Sequence, residues 1–389
     1  MNLEMACSRG AEFATVIEVE RDTFRESFVT VDFTQFAPTL TSIEEIYCDV
    51  VKLIASRGMR VFAEKIHGAK TYRRNFETLR TRAYHAAGIP SSFPFSYVCG
   101  TPLNDAPLAG LQWWCIASHD GDTAIHPMTH MGRTVGLRWE GPGFSLYSWP
   151  QVSGAGDDID GCISAQCNRM FAETSRLLAS EGLGYRDVMR TWIYLARILD
   201  WYGEFNHVRS RHFATHGLLD GAAGPWLPAS TGIQGQATVE ECMMDVLAFS
   251  AQESGSAQAW PIFSTRRQNA AHSYGSAFSR AMVFEAQGRK TVYISGTASI
   301  NPRGETVFFG DPEAQVFQTL MSLASVLEQA GGNLKNIVSS TLYCKNTATF
   351  EAFQRVARML QLPPFPRVVV LADVCRAELL FEMEAIAAV

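Results

Sequence analysis

The sequence predicts an α+β fold built from two tandem copies of one unit, each a mixed sheet with helices packed on one face. Two observations carry this: an internal repeat, and a switch within it from helical to strand periodicity. From Gln166, the run QCNRMFAETSRLLASEGLGYRDVMRTWIYL reads as an apolar-periodic helix, a glycine-containing turn and a strand, with Tyr194 falling 28 residues after the glutamine. From Gln315, QVFQTLMSLASVLEQAGGNLKNIVSSTLYC repeats the arrangement, and Tyr343 again falls 28 residues on.

Each copy continues with a second helix, WYGEFNHVRSRHF or TATFEAFQRVARMLQ, and then a Pro-bearing turn into two strands. Ser230 precedes Asp245 by 15 residues, and Arg367 precedes Glu382 by 15, so a shared scaffold is expected to carry Ser/Asp in one unit and Arg/Glu in the other. The order expected within a unit is strand, hairpin, helix, strand, helix, strand, strand. The expected divisions are 141–255 and 256–389. Residues 1–140 form either a degenerate third unit, completing a pseudo-trimer, or a cap. In that region TSIEEIYCDVVKLIASRGMRVFAEKI carries helical signals and SYVCGTPL is strand-rich.

With 389 residues, 47% hydrophobic and 19% charged, the chain is globular and long enough for several cores. A net charge of -6 without a basic run argues against nucleic-acid and membrane surfaces. The opening MNLEMACSRGAEFATV lacks the apolar stretch of a signal peptide, so a cytoplasmic location is expected. Nine scattered cysteines suit reduced thiols. Cys162 with Cys167, and His126 with His130 in HPMTH, lack a second ligand pair, and the histidines are expected in a surface loop rather than at a metal. No cofactor is expected.

Through YISGTASINPRGE, GDPEAQ, FEAFQRV and FEMEAIA, the last unit resembles the YjgF-like reactive-intermediate (imine) deaminases. Those are single-unit chains forming trimers with ligand sites at the subunit interfaces. Arg367 and Glu382 match the carboxylate-binding Arg and the later Glu that mark many of them. The doubled unit with its N-terminal region resembles, more narrowly, the chorismatases, over roughly residues 140 to 389 and most strongly in RTWIYL, PASTGI, SYGSAFSRA, YISGTAS and VCRAELLFEME.

The resemblance implies conversion of chorismate to pyruvate and 3-hydroxybenzoate, with or without some 4-hydroxybenzoate. It makes Glu382 the general acid, and Cys375 with Gly296 the marks of the 3-hydroxybenzoate-forming subclass, the glycine leaving space for the ring. Arg280, Arg355 and Tyr274 become substrate-binding residues. Arg367 stays outside this set, since chorismatases do not generally keep it.

Arg355 lies opposite the stripe of Phe350, Phe353, Ala357 and Leu360, so periodicity places it in solvent. Glu382, Glu384 and Ile386 share one face of a strand, which is either solvent or a pocket. Cys375 alone reads as a small buried hydrophobe. The competing functions are an imine or enamine deaminase and a non-catalytic small-molecule-binding protein. A monomer or dimer is expected, since covalent linkage can replace trimer symmetry.

Overall fold

The computed structural model describes residues 2–4, 14–121, 123–154, 162–220, 224–235, 241–252 and 255–389. Most of the opening segment read for a signal peptide therefore lies outside the described residues. The chain forms three six-stranded mixed sheets with the same strand order.

The first sheet and its helices are β1 (Asn2–Glu4), β2 (Ala14–Glu20), β3 (Phe24–Asp32), α1 (Leu40–Ser56), β4 (Arg60–Gly68), α2 (Arg73–Ala86), β5 (Ser96–Cys99) and β6 (Leu108–Ser118). The second has β7 (Ile125–His130), β8 (Arg133–Gly141), β9 (Phe144–Ser153), α3 (Ile163–Ser180), β10 (Val188–Leu195), α4 (Ile198–Thr215), β11 (Ala229–Gln234) and β12 (Cys242–Ala251). The third has β13 (Gln258–Ile262), β14 (Ala281–Ala286), β15 (Arg289–Ala298), α5 (Pro312–Ala330), β16 (Ile337–Cys344), α6 (Thr347–Met359), β17 (Val368–Leu371) and β18 (Phe381–Ala388). In the first sheet the strands run β1-β2-β3-β6-β4-β5, and the other two sheets follow the same path.

Local chemistry explains the helix limits. The Asp311 side chain accepts from the Ala314 amide and Pro312 opens α5, while Gly331, at φ 93°, closes it. Asn346 caps α6 and Thr39 caps α1. The helical reading of the N-terminal run holds only to Ser56. Gly58 turns the chain at φ 65°, and RVFAEKI continues as β4, alternating buried and less buried positions. The segment 125–140, grouped in the sequence reading with the N-terminal region, belongs to the second sheet, where β7 pairs with β8 and β8 with β9. His126 and His130 thus sit on an edge strand rather than in a loop, within 4.0 Å of Glu140 and 3.9 Å of Glu173 respectively.

Strand register gives the equivalences between units. Tyr194 pairs with Met243, Tyr343 with Glu382, and His67 with Gly110. Two residues earlier, Trp192 pairs with Asp245, Thr341 with Glu384, and Lys65 with Gln112. The counterpart of Asp245 is therefore Glu384, and Met243 stands where the last unit has Glu382. The equal spacing read in the sequence hides a β17–β18 connection two residues longer than that between β11 and β12, counted from Val368 to Glu382 against Thr231 to Met243. The repeated glutamines do correspond: Gln166 accepts from the Glu241 amide at 3.1 Å and Gln315 from the Leu380 amide at 2.8 Å.

Each sheet buries one face under its two helices, giving three separate cores. The opposite faces meet one another in two further apolar clusters that draw on all three units. Arg21 helps clamp the first unit to the third, paired with Glu26 at 2.6 Å and donating to the carbonyls of Ala286 and Arg289 at 2.8 and 2.9 Å. The buried guanidinium is tolerated because Nε, Nη1 and Nη2 all find acceptors, although Glu26 Oε1 has no partner.

Candidate active site

The site lies where β11 of the second unit meets β15 of the third. The pairing of β15 with β18 slips between Ile294 and Thr297, and this irregularity frees Ser295 and Gly296 to bond across the interface. Ser295 Oγ accepts from the Ser230 amide at 2.8 Å, and the Gly296 amide donates to Thr231 Oγ1 at 3.0 Å. A Cβ at position 296 would fall 2.1 Å from Glu382 Oε1 and 3.0 Å from Thr231 Cγ2. The space that the glycine leaves is thus filled by the Glu382 carboxyl, not reserved for a ring.

Glu382 is 4% exposed and lines a cavity of about 60 Å³ with Tyr274, Arg280, Gly296 and Cys375 of its own unit. Tyr202, Arg209 and Ser230 of the second unit complete the wall. Burial pushes the Glu382 carboxyl up to about 8, the nearby Glu384 adds to the rise, and Arg190 offsets part of it. Cys375 is pushed up to about 12, by burial first and by Glu382 second. It faces the cavity as a neutral thiol and not as a nucleophilic thiolate.

Arg280 is held by bonds from Nε and Nη2 to the Asn269 carbonyl, at 3.1 and 2.8 Å, and Nη2 also donates to the Tyr274 hydroxyl. That bond uses the phenol as an acceptor and leaves its own proton free to donate. Gly275, at φ 95°, ends the turn carrying Tyr274, whose ring lies where a Cβ on Gly304 would come within 2.5 Å.

Arg355 is not part of this site. It projects half-exposed from α6 and pairs with Glu313 on α5 at 2.5 Å, as its place opposite the apolar stripe demands. Arg367 is also elsewhere, 4.0 Å from Asp32 of the first unit and over the Phe353 ring. Its counterpart beside Glu382 is Ser230.

Arg209 was missed. It is 1% exposed, its Nη2 donates to Asn206 at 2.6 Å, its Nε has no partner, and its guanidinium lies 5.7 Å from the Phe278 ring centre. The signal was present: Trp201, Phe205 and Arg209 recur every four residues, so a cation occupies the apolar stripe of α4. Such a buried cation with an open donor is suited to a ligand anion. Among the described residues no cluster of three His, Cys, Asp or Glu is placed to hold a metal ion.

The two other interfaces are filled. At Gly110, the counterpart of Glu382 in the first unit, a Cβ would meet Val368 of the third unit at 2.7 Å. At Met243, the counterpart in the second unit, Gln151 donates to the Tyr97 carbonyl at 3.0 Å and to Met243 Sδ at 3.3 Å, and accepts from Arg73 at 3.2 Å.

Residues 269–389 match the family described as Endoribonuclease L-PSP. A 65-residue stretch is 29% identical to 3-aminoacrylate deaminase RutC of Acinetobacter baylyi, covering 17% of this chain and 52% of that protein, so the match spans about half of that relative. A chorismatase crystal structure aligns with 84% of this chain and 92% of its own, at a TM-score of 0.57 and 19% identity. Yeast Mmf1 covers 33% of this chain and 98% of its own, at 24% identity and a TM-score of 0.28. The chain has the YjgF-like fold. Its whole-chain arrangement is that of a chorismatase fold.

Proposed function

We propose that the protein is a chorismatase, acting at the Glu382 interface, and that it forms 3-hydroxybenzoate and pyruvate. The observation that carries this is a carboxyl held neutral near pH 7 at the base of a cavity that also offers Arg280, Arg209 and the Tyr274 hydroxyl. Chorismate is a dianion with a ring carboxylate and an enolpyruvyl carboxylate, and two buried guanidinium groups match that pair. The 60 Å³ of the cavity holds only part of such a molecule, and Arg376 is a further cation in its lining.

In this reading Glu382 delivers its proton to the enolpyruvyl methylene, producing an oxocarbenium ion. The C4 hydroxyl oxygen attacks C3, the C3–O bond breaks, and the departing fragment is pyruvate. The resulting 3,4-arene oxide opens at its C4–O bond, and loss of the C3 proton restores aromaticity. The atoms of chorismate are all accounted for in the two products. No water is consumed, and the protons gained and lost balance. Cys375, neutral and polarisable, lies beside the rearranging ring. Gly296 acts by admitting the Glu382 carboxyl to its position.

The imine deaminase reading draws on the RutC and family matches to the last unit. Against it, the position of the carboxylate-binding arginine in the Glu382 interface is Ser230, while Arg367 faces another interface. We further propose that the chain divides into three structural units, the second beginning near residue 125. Among the described residues no helix is long and apolar enough to cross a membrane. We propose a cytoplasmic monomer or dimer acting on its small-molecule substrate without nucleic acid or membrane.

Incubation of the purified protein with chorismate and chromatography of the products tests the assignment. Equimolar pyruvate and 3-hydroxybenzoate are expected. Intact chorismate, with ammonia released from an imine generated in the assay, would support the deaminase instead.

A further inference from the structure

A second cavity, of about 100 Å³, lies on the axis where the three sheets meet. The register-equivalent residues Gln112, Asp245 and Glu384 all line it, as do their partners Lys65, Trp192 and Thr341. Its three carboxylates all have donors: Glu64 accepts from Arg80 at 2.8 Å and Tyr84 at 3.1 Å. Asp245 accepts from the Gln151 amide at 2.9 Å and the Tyr194 hydroxyl at 3.2 Å; Glu384 accepts from Arg190 at 2.8 Å, Thr231 at 2.5 Å and Tyr343 at 3.1 Å.

The donors of the wall are not engaged to the same extent. Arg190 Nη1 and Trp114 Nε1 are buried without a partner. Lys65 Nζ, with three protons to give, has Asp245 at 3.5 Å and otherwise lies 4.3 Å from the Trp192 ring centre. A buried donor left open is costly, so unpartnered donors in a cavity wall mark a place for an acceptor. The rest of the wall combines an aromatic side, where Phe28 and Phe62 pack against the Trp114 ring, with aliphatic and hydroxyl groups such as Leu137, Val246 and Ser340.

We propose that this central cavity is a binding site for a small aromatic monocarboxylate. The carboxylate lies between Lys65 and Arg190, and the flat ring occupies the aromatic wall. At about 100 Å³ the cavity is several times the minimum that holds one water, which suits a ligand as compact as benzoate. The site is distinct from the Glu382 cavity and does not depend on the reaction assigned there.

Titration with benzoate by calorimetry and tryptophan fluorescence tests this, in an Arg280→Ala background that removes a cationic group from the other cavity. One benzoate per chain should bind, with quenching, and butyrate should bind at least tenfold more weakly. Lys65→Met should weaken benzoate at least tenfold, for loss of a charge-assisted bond, and Trp114→Phe, which keeps the ring and deletes one neutral donor, about threefold. Trp114→Phe also serves if Lys65→Met does not fold. Absence of benzoate binding at 10 mM, equal affinity for butyrate, or affinity unchanged in both cavity variants would overturn the proposal.

Discussion

Three interfaces join three copies of one unit, and among the described residues the position of Glu382 carries an acid facing an interface cavity at one of them and an apolar residue or glycine at the other two. Where the third unit presents Glu382, the first presents Gly110 under a Val368 side chain and the second presents Met243 beside Gln151. The strand order is the same in each unit, and the residue paired with this position is Tyr194 in the second unit, Tyr343 in the third and His67 in the first. The difference teaches that linking the units in one chain released each interface to change alone. Two became packing surfaces, and the third kept the polar groups that a ligand needs.

The largest effect on this contrast should come from Glu382→Gln. It keeps the shape and removes the proton, so kcat should fall by about 10² to 10⁴ with an unchanged circular dichroism spectrum. The same variant has a stability signature. Glu382 rises from an ordinary value of 4.5 to about 8 in the folded chain. Between those pH values the native state holds a proton that the unfolded chain has released, so wild-type stability falls as pH rises through this window. Denaturation of Glu382→Gln across the window should lack that slope.

Arg280→Ala and Arg209→Met should each weaken chorismate binding by about 1.5 to 3 kcal/mol, read by calorimetry, for a lost charge-assisted bond. An unchanged affinity in Arg209→Met would return that residue to a purely structural role.

Gly296→Ala should slow pyruvate release itself, by roughly tenfold for a displacement costing about 1.4 kcal/mol, because the new methyl meets the Glu382 carboxyl. If pyruvate release is unchanged and only the ring product shifts, the glycine serves the ring after all. Wild-type kcat/KM should fall as pH rises through about 8, and Glu384→Gln should move that limb to lower pH, since the raising charge is removed while Arg190 remains. The smallest effect belongs to Arg355→Ala, within about 0.5 kcal/mol in stability and with no change in KM.

Much of the fold was legible because helix and strand periods alternate twice at matched spacing. The first unit was harder to read: its sequence lacks the repeated motifs, and a helix running into a strand through Arg57 and Gly58 looks like one long helix. In the site, Glu382, Cys375, Gly296, Arg280 and Tyr274 do converge on one cavity, and their motifs lie within a single unit. Arg209 comes from the neighbouring unit: its place in the apolar stripe of α4 marks it as buried, but a linear pattern does not show that this part of α4 lines the cavity at the third unit. For Arg355 periodicity was the better guide than resemblance. Ser230 does correspond to Arg367, but the match of Asp245 to Glu382 failed because equal spacing in sequence conceals a longer connection.

The most direct test of the account is a crystal structure of the Glu382→Gln protein soaked with chorismate. The account predicts substrate at the interface of the second and third units, carboxylates on Arg280 and Arg209, and the enolpyruvyl methylene facing residue 382. Chorismate seated at another interface, or with its methylene turned away from that residue, would contradict it.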